Sequence, residues 1–367
     1  MNYKLLKILP STDHQYWVVD EEHFYVNDRA TKILSVYDLQ TLELKSQMDF
    51  KFCNSLKKVG TRLMTHKRVN GTPYTHFVDW QTKTFEPCLY NGLPIGFSNP
   101  FLENTSQVGY MQGEEYYSGV FDWGSQEILW IKSGFGPMTL FTSLYVLNTS
   151  SIGGVINGYL TCYARMSGEE VWSLDMSKLG KEGDVSQIVT LLGVFEDLVV
   201  IGVETPSPAV IALDVHTGET RWRVGRTSFT NREGFSYPSI LYNMDTNENQ
   251  TRLYGFRNSY FLELDIQTGQ VIQFEDLASE NSPYLKYGKK DIWAHTMRYH
   301  EGSLVFTSRL SMNNNMIGNF DIRQRGINWL YDLKFKGTYW NAGSFPVFTG
   351  NRMFISTFQT ICIFEKE

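Results

Sequence analysis

The stretch "ALDVHTGETRW", Ala212–Trp222, decides the fold. An apolar run ends at Asp214, a polar turn follows, and a new strand-like run starts at Thr220. An Asp at a strand end can accept hydrogen bonds from the amides of the turn behind it, an Asx-type turn. Gly218 supplies the positive φ that closes the hairpin. Trp222, on the returning strand, is large enough to fill the wedge between two neighbouring twisted sheets. These are scaffold roles, and none of them is catalytic.

The stretch is one copy of a repeat. Four segments align without gaps: "FDWGSQEILW" (121–130), "YARMSGEEVW" (163–172), "LDVHTGETRW" (213–222) and "FDIRQRGINW" (320–329). Asp122, Asp214 and Asp321 hold the Asp position, Ala164 replaces it once, and Trp follows eight residues later. Weaker copies, "VYDLQTLEL" (36–44), "FVDWQTKTF" (77–85) and "ELDIQTGQV" (263–271), keep the strand, Asp and turn but lose that Trp. The C-terminal "CIFEKE" (362–367) matches only the approach to the turn, with Glu365 at the Asp position. Successive Asp positions lie 41, 43, 42, 50, 51, 56 and 44 residues apart. A four-stranded blade needs about 40–45 residues, and the longer later intervals leave room for inserted loops.

Each interval holds further apolar runs. Around Asp214 they are "QIVTLLGVF" (187–195), "LVVIGV" (198–203), "AVIALD" (209–214) and "TRWRV" (220–224). Around Asp265 they are "SILYNM", "RLYGF", "YFLELD" and "VIQF". Four strands joined by short turns make a meander blade, and inner strands packed on both faces read as continuous apolar runs. An aromatic content of 15%, with 21 Tyr, 24 Phe and 9 Trp, agrees with strands.

The pattern apolar-Asp-x-x-Thr-Gly-Glu-x-x-Trp, fullest at Leu213–Trp222, resembles the repeat of pyrroloquinoline-quinone-type β-propellers. The resemblance implies an architecture in which this motif docks adjacent blades. Quinoprotein enzymes of that broader family use a vicinal cysteine disulfide, calcium-binding carboxylates and a central Trp platform. No two of Cys53, Cys88, Cys162 and Cys362 are adjacent, and no paired-carboxylate cluster stands out. No cofactor, metal or catalytic residue is therefore carried over.

The expected fold is all-β: a single β-propeller domain over 1–367, with eight four-stranded antiparallel blades favoured and seven as the alternative. About 46 residues per blade fits eight, whereas seven would need about 52. The last unit, "RMFISTFQTICIFEKE", has strands near 345–349, 352–357 and 360–365 and no fourth. The N-terminal "YKLLKIL" (3–9) is expected to supply it, closing the ring by joining the C-terminal blade.

A net charge of −6 with interspersed signs offers no basic block for phosphates, so nucleic acid is not expected as a partner. There is no 18-residue apolar run for a membrane span, and Leu5–Pro10, interrupted by Lys7, is too short for a secretory signal. Four scattered cysteines suit a reduced, cytoplasmic protein in which they are small buried side chains. Sequons at Asn70, Asn104, Asn148 and Asn249 fit chance in so Asn- and Thr-rich a chain. His14, His23, His66, His76, His216, His295 and His300 show no HxH or HxxxH spacing, and no GxSxG or P-loop occurs.

Function is expected where the repeats disagree. Long loops stand at "NTSSIGGVING" (148–158), "GRTSFTNREGFSY" (225–237), "ASENSPYLKYGKKDIW" (278–293) and "FKGTYWNAG" (335–343). Loops carry most binding residues, and aromatic and Arg side chains are the usual interface anchors. The candidate partner-binding residues are Phe229, Arg232, Tyr237, Tyr284, Tyr287, Trp293, Tyr339 and Trp340. Trp293 and Trp340 have a second reading, as wedge residues at the start of inner strands. The leading expectation is a non-enzymatic, monomeric interaction scaffold binding another protein, such as an adaptor or a bacterial immunity-type protein. The competing one is a carbohydrate- or small-ligand-binding propeller, or a hydrolase or lyase, using the central pocket.

Overall fold

The protein is described by a computed structural model of all 367 residues. It describes the chain apart from 1, 11–15, 29, 52, 54, 60–61, 70–71, 91–92, 95, 103–104, 113–114, 134–137, 143, 150–158, 176–178, 180–187, 204–208, 226–243, 258–259, 277–293, 312–313, 333–344 and 357–359. Among the described residues the regular elements are strands, in eight four-stranded antiparallel sheets and one small hairpin, Leu89–Tyr90 with Leu93–Pro94. The fold is an eight-bladed β-propeller. In chain order the blades run Tyr16–Asp49, Lys57–Pro87, Gly96–Ser133, Met138–Asp175, Ile188–Val224, Met244–Asp276 and Ala294–Asp332. The eighth combines Val347–Thr349, Arg352–Ser356 and Thr360–Lys366 with Tyr3–Pro10 from the N-terminus. The last residue is held beside the start of the first strand as well, since Glu367 N donates to Asn2 O at 3.0 Å.

Blade 5 shows why these residues make strands. Its two middle strands, Leu198–Val203 and Ala209–Asp214, are buried at every residue, while the outer strand Thr220–Val224 is mostly exposed. β-branched residues fill the middle strands because both pleated faces are covered. In blade 6 the described first strand is Met244–Thr246, which begins at the last residue of "SILYNM". The residues of "SILYNM" before Met244 lie outside the described residues.

Contacts divide the chain into two units, Met1–Leu9 with Leu174–Glu367, and Pro10–Ser173. In the first, apolar clusters lie between consecutive blades: Val200, Val210 and Ala212 with Leu262 and Leu264, then Phe256 and Phe261 with Phe306 and Phe320, then Val305 and Ile317 with Ile355 and Phe364. The second repeats the arrangement with Tyr25, Leu34 and Val36 against Leu63 and Val78, and Met64 and Phe77 against Val108 and Phe121.

The repeated turn is built as its sequence requires. Asp214 Oδ1 accepts from His216 N and Thr217 N, both at 2.9 Å, and Gly218 N donates to Asp214 O at 2.8 Å. Asp38, Asp79 and Asp122 make the same pair of amide bonds, and Asp265 and Asp321 accept from the third residue on. The residue four places after the Asp position is left-handed in every copy. It is Gly168, Gly218 or Gly269 in three, at φ 70°, 74° and 68°. In the other four it is Leu42, Lys83, Gln126 or Arg325, at φ 57°, 60°, 61° and 53°. The hairpin thus imposes this conformation even where no glycine relieves it.

Three of the four repeat tryptophans, Trp130, Trp222 and Trp329, fill wedges as expected. Trp130 Nε1 donates to Arg165 O at 2.7 Å, and Trp222 Nε1 to Ile266 O at 2.9 Å, each in the turn of the next blade. Trp329 packs on Tyr3 and Phe364 of blade 8. Blades 1 and 2 lack this Trp, with Ser46 and Pro87 at its position. There the direction reverses: Trp80 and Trp123, each directly after the Asp of the following blade, pack back on the preceding blade's cluster. Trp80 lies 5.0 Å from His23, and Trp123 lies 5.5 Å from Phe77, centroid to centroid.

Candidate functional site

All eight candidate residues, Phe229, Arg232, Tyr237, Tyr284, Tyr287, Trp293, Tyr339 and Trp340, lie outside the described residues. What is described is where their segments begin and end. The chain leaves the outer strand of one blade at Val224, Asp276 and Asp332, and the next inner strand starts at Met244, Ala294 and Val347. In an antiparallel meander those points share the sheet end of the second-to-third-strand connections, opposite the Asp turns.

The recurring polar residues are occupied by the scaffold. Asp214 is buried and bonded through Oδ2 to Arg221, at 3.1 Å from Nε and again through Nη2. That bond, against burial and helped by the turn amides, holds its carboxyl down to about 2. Asp38 is held well below the usual carboxylate range, first by a hydrogen bond from Lys45. Asp265 pairs with Arg252, and Glu365, at the same cross-strand place in blade 8, faces Arg352 at 3.8 Å. His216 is exposed, 3.2 Å from Asp197. His300 stacks on Phe348 with centroids 3.9 Å apart, and burial pushes its pKa down. Nothing is described of the His295 side chain.

All four cysteines are buried and outside any disulfide, and burial pushes their thiols up, to about 11 for Cys53 and Cys362 and about 12 for Cys88 and Cys162. Thiolates, not thiols, are the nucleophiles. Among the described residues, no three His, Cys, Asp or Glu side chains are grouped to hold a metal, and no helix is long and apolar enough to cross a membrane. The sequon residue Asn148 is buried on a middle strand, whereas Asn249 is exposed in a turn.

One cavity of about 380 Å³ opens at the Asp-turn end of blade 2. Tyr25, Phe77 and Trp80 give it aromatic walls, with Arg62, Asp79, Gln81, Thr84 and Glu86 around them. Arg62 lies over the Phe77 ring, 3.5 Å from its centroid, and is paired with Glu86. Trp80 hydrogen-bonds the Tyr25 hydroxyl, which in turn donates to Asp20 Oδ2 at 2.9 Å. Burial raises the Asp20 pKa, but the amides of Glu22 and His23, the Tyr25 hydroxyl and Lys58 at 3.5 Å together hold it low. None of these residues was read as a site in the sequence. The available signal was the Trp beside the Asp in "VDWQ", opposite a blade that lacks its own docking Trp.

No family model matches the chain, and no curated protein matches its sequence. Solved structures do match its fold. The computationally designed protein Ika8 aligns over 97% of this chain and 98% of its own, at 15% identity and a TM-score of 0.62. BamB from Moraxella catarrhalis aligns over 100% and 98%, at 11% identity and a TM-score of 0.59. A europium-containing methanol dehydrogenase aligns over 98% and 85%, at 11% identity and a TM-score of 0.56. A designed protein and an enzyme share this fold, so the fold leaves the activity open.

Proposed function

We propose that the chain is a non-enzymatic propeller scaffold of the pyrroloquinoline-quinone repeat type, without the quinone site, that binds another protein. The observation that carries this is the contrast between its turns and its connections. The Asp turns are nearly uniform, and their carboxylates are committed to amides and basic neighbours. The connections 226–243, 277–293 and 333–344 vary in length and composition and carry the aromatic and Arg residues named above. Variable, aromatic-rich segments on a rigid frame suit recognition. The net charge of −6 favours a partner with a basic surface, and cytoplasmic residence goes with four cysteines outside any disulfide.

Affinity capture of the full chain with cross-linking and mass spectrometry tests the proposal. The expected result is a stoichiometric protein cross-linked to those three segments. The double changes Phe229→Ala with Arg232→Ala, Tyr284→Ala with Tyr287→Ala, and Tyr339→Ala with Trp340→Ala should weaken capture about tenfold each, with thermal stability kept. A partner cross-linked elsewhere, and captured equally by all three variants, overturns it.

A further inference from the structure

We propose that the cavity at the Asp-turn end of blade 2 is a binding site for a neutral saccharide. The Trp–Gly contact that closes two other turns of the repeat is missing here. At the equivalent turns of blades 4 and 6, the Trp of the preceding blade sits on the turn glycine: a Cβ on Gly168 would meet Trp130 at 2.6 Å, and one on Gly269 would meet Trp222 at 2.5 Å. Blade 1 has Ser46 where that Trp would come from, and blade 2 has Lys83 where the glycine would receive it. Asp79, Trp80 and Gln81 of this turn line a cavity. At about 380 Å³ it falls within the roughly 300–1,000 Å³ of small-ligand pockets.

The lining selects the ligand class. Tyr25 and Phe77 are buried, and half-buried Trp80 offers the ring that suits the C–H face of a sugar. A cation has no free seat over Phe77, because the Arg62 guanidinium already occupies it at 3.5 Å. An anion would meet Asp79 and Glu86, while Arg62 is neutralised by Glu86. A hydroxyl both donates and accepts, so one sugar can give to Glu86 and take from Arg62 without parting them. The wall is also pre-organised: Tyr25 is held by Asp20 at 2.9 Å, and Trp80 by Tyr25 and His23. Pre-set groups lower the ordering cost of binding. The site is independent of the loop segments, and either reading can fail alone.

The test titrates the full chain with methyl glycosides of glucose, galactose, mannose and N-acetylglucosamine, with glucose 6-phosphate and glucosamine as charged controls. Tryptophan fluorescence and calorimetry report binding. At least one neutral glycoside should bind saturably, and at least about fivefold more tightly than either charged control. Arg62→Met with Glu86→Gln should weaken it about tenfold. Both side chains are largely exposed, at 46% and 69%, so the variant keeps its fold, checked by its melting temperature. The proposal is overturned if no neutral glycoside binds up to about 50 mM, far weaker than any useful affinity. It is equally overturned if a charged control binds as well, or if the folded variant binds undiminished.

Discussion

Gly269→Ala isolates the contact that joins blade 5 to blade 6. Two costs add at this position. The backbone is left-handed, at φ +68°, which costs an alanine about 1–2 kcal/mol. The new Cβ would lie 2.5 Å from Trp222 Cδ2 and 2.6 Å from Cε3. The ring cannot swing away freely, because its Nε1 donates to Ile266 O at 2.9 Å in the same turn. Overpacking of this kind costs about 1–3 kcal/mol. The alanine stiffens the unfolded chain and returns about 0.4–1 kcal/mol. The net expectation is a loss of about 2–4 kcal/mol. Gly302→Ala is the control: φ is +76°, yet a Cβ there meets nothing within 4 Å, so strain acts alone and the loss is about 1 kcal/mol. Urea unfolding followed by circular dichroism measures both. A double-mutant cycle with Trp222→Phe, which shrinks the ring and removes the indole donor, should recover about 1–2 kcal/mol of the Gly269→Ala loss. The seating argument fails if Gly269→Ala and Gly302→Ala agree within about 0.5 kcal/mol, or if the cycle is additive.

Further outcomes follow from the same geometry. Lys83→Gly relieves a left-handed residue at φ 60° on the surface and should raise stability by about 0.5–1 kcal/mol, whereas Leu42→Gly at φ 57° should lower it, because Leu42 is buried. A urea series on the two variants that moves both midpoints in the same direction would contradict this. Asp214 is held down to about 2, chiefly by Arg221, below its unfolded value of about 3.9. Its contribution is therefore complete above about pH 4 and is lost as pH falls toward 2. Asp214→Asn should flatten that part of the stability–pH curve, and an unchanged slope would remove Asp214 as a contributor. The four thiols, raised by burial, should resist an aromatic disulfide reagent at about pH 8 in the folded protein and react together on unfolding.

The blades were legible in the sequence because the hairpin device repeats. The strands of blade 5 at Leu198–Val203, Ala209–Asp214 and Thr220–Val224 fall on the residues that the motif predicts, and eight blades closed by Tyr3–Pro10 agree with the spacing. The Trp eight residues after the Asp also read correctly, since one large side chain had one wedge to fill. Trp80 and Trp123 did not, because they fill the wedge from the opposite side and break the register of the alignment. The left-handed Leu42, Lys83, Gln126 and Arg325 were hidden for another reason. Glycine signals positive φ only where the sequence provides it, whereas the ladder between the two strands that the turn joins enforces it regardless. The cavity residues were invisible because Tyr25 and Phe77 come from different blades, and only folding brings their rings to one wall.

The two ways of filling a wedge have different consequences for what the turn can do. A Trp that comes from the preceding blade lies across the turn, as Trp222 lies on Gly269, and covers it. A Trp that belongs to the turn itself, as Trp80 does, turns its ring back to the preceding blade, toward Tyr25 and His23. The turn amides are satisfied by the Asp in both cases, so the hairpin is equally well closed. What changes is exposure of the flanking strand ends: with the covering ring gone, Arg62 and Glu86 across the sheet remain open to solvent beside an aromatic wall. The Trp123 turn tests the generality of this. Its ring also reaches back, to Phe77, but its Nε1 is taken by Ser106 of its own blade at 2.5 Å, and Phe121 packs beside it at 4.9 Å. At blade 2 the ring's donor is instead spent on Tyr25, and the guanidinium of Arg62 holds the Phe77 face beside the cavity.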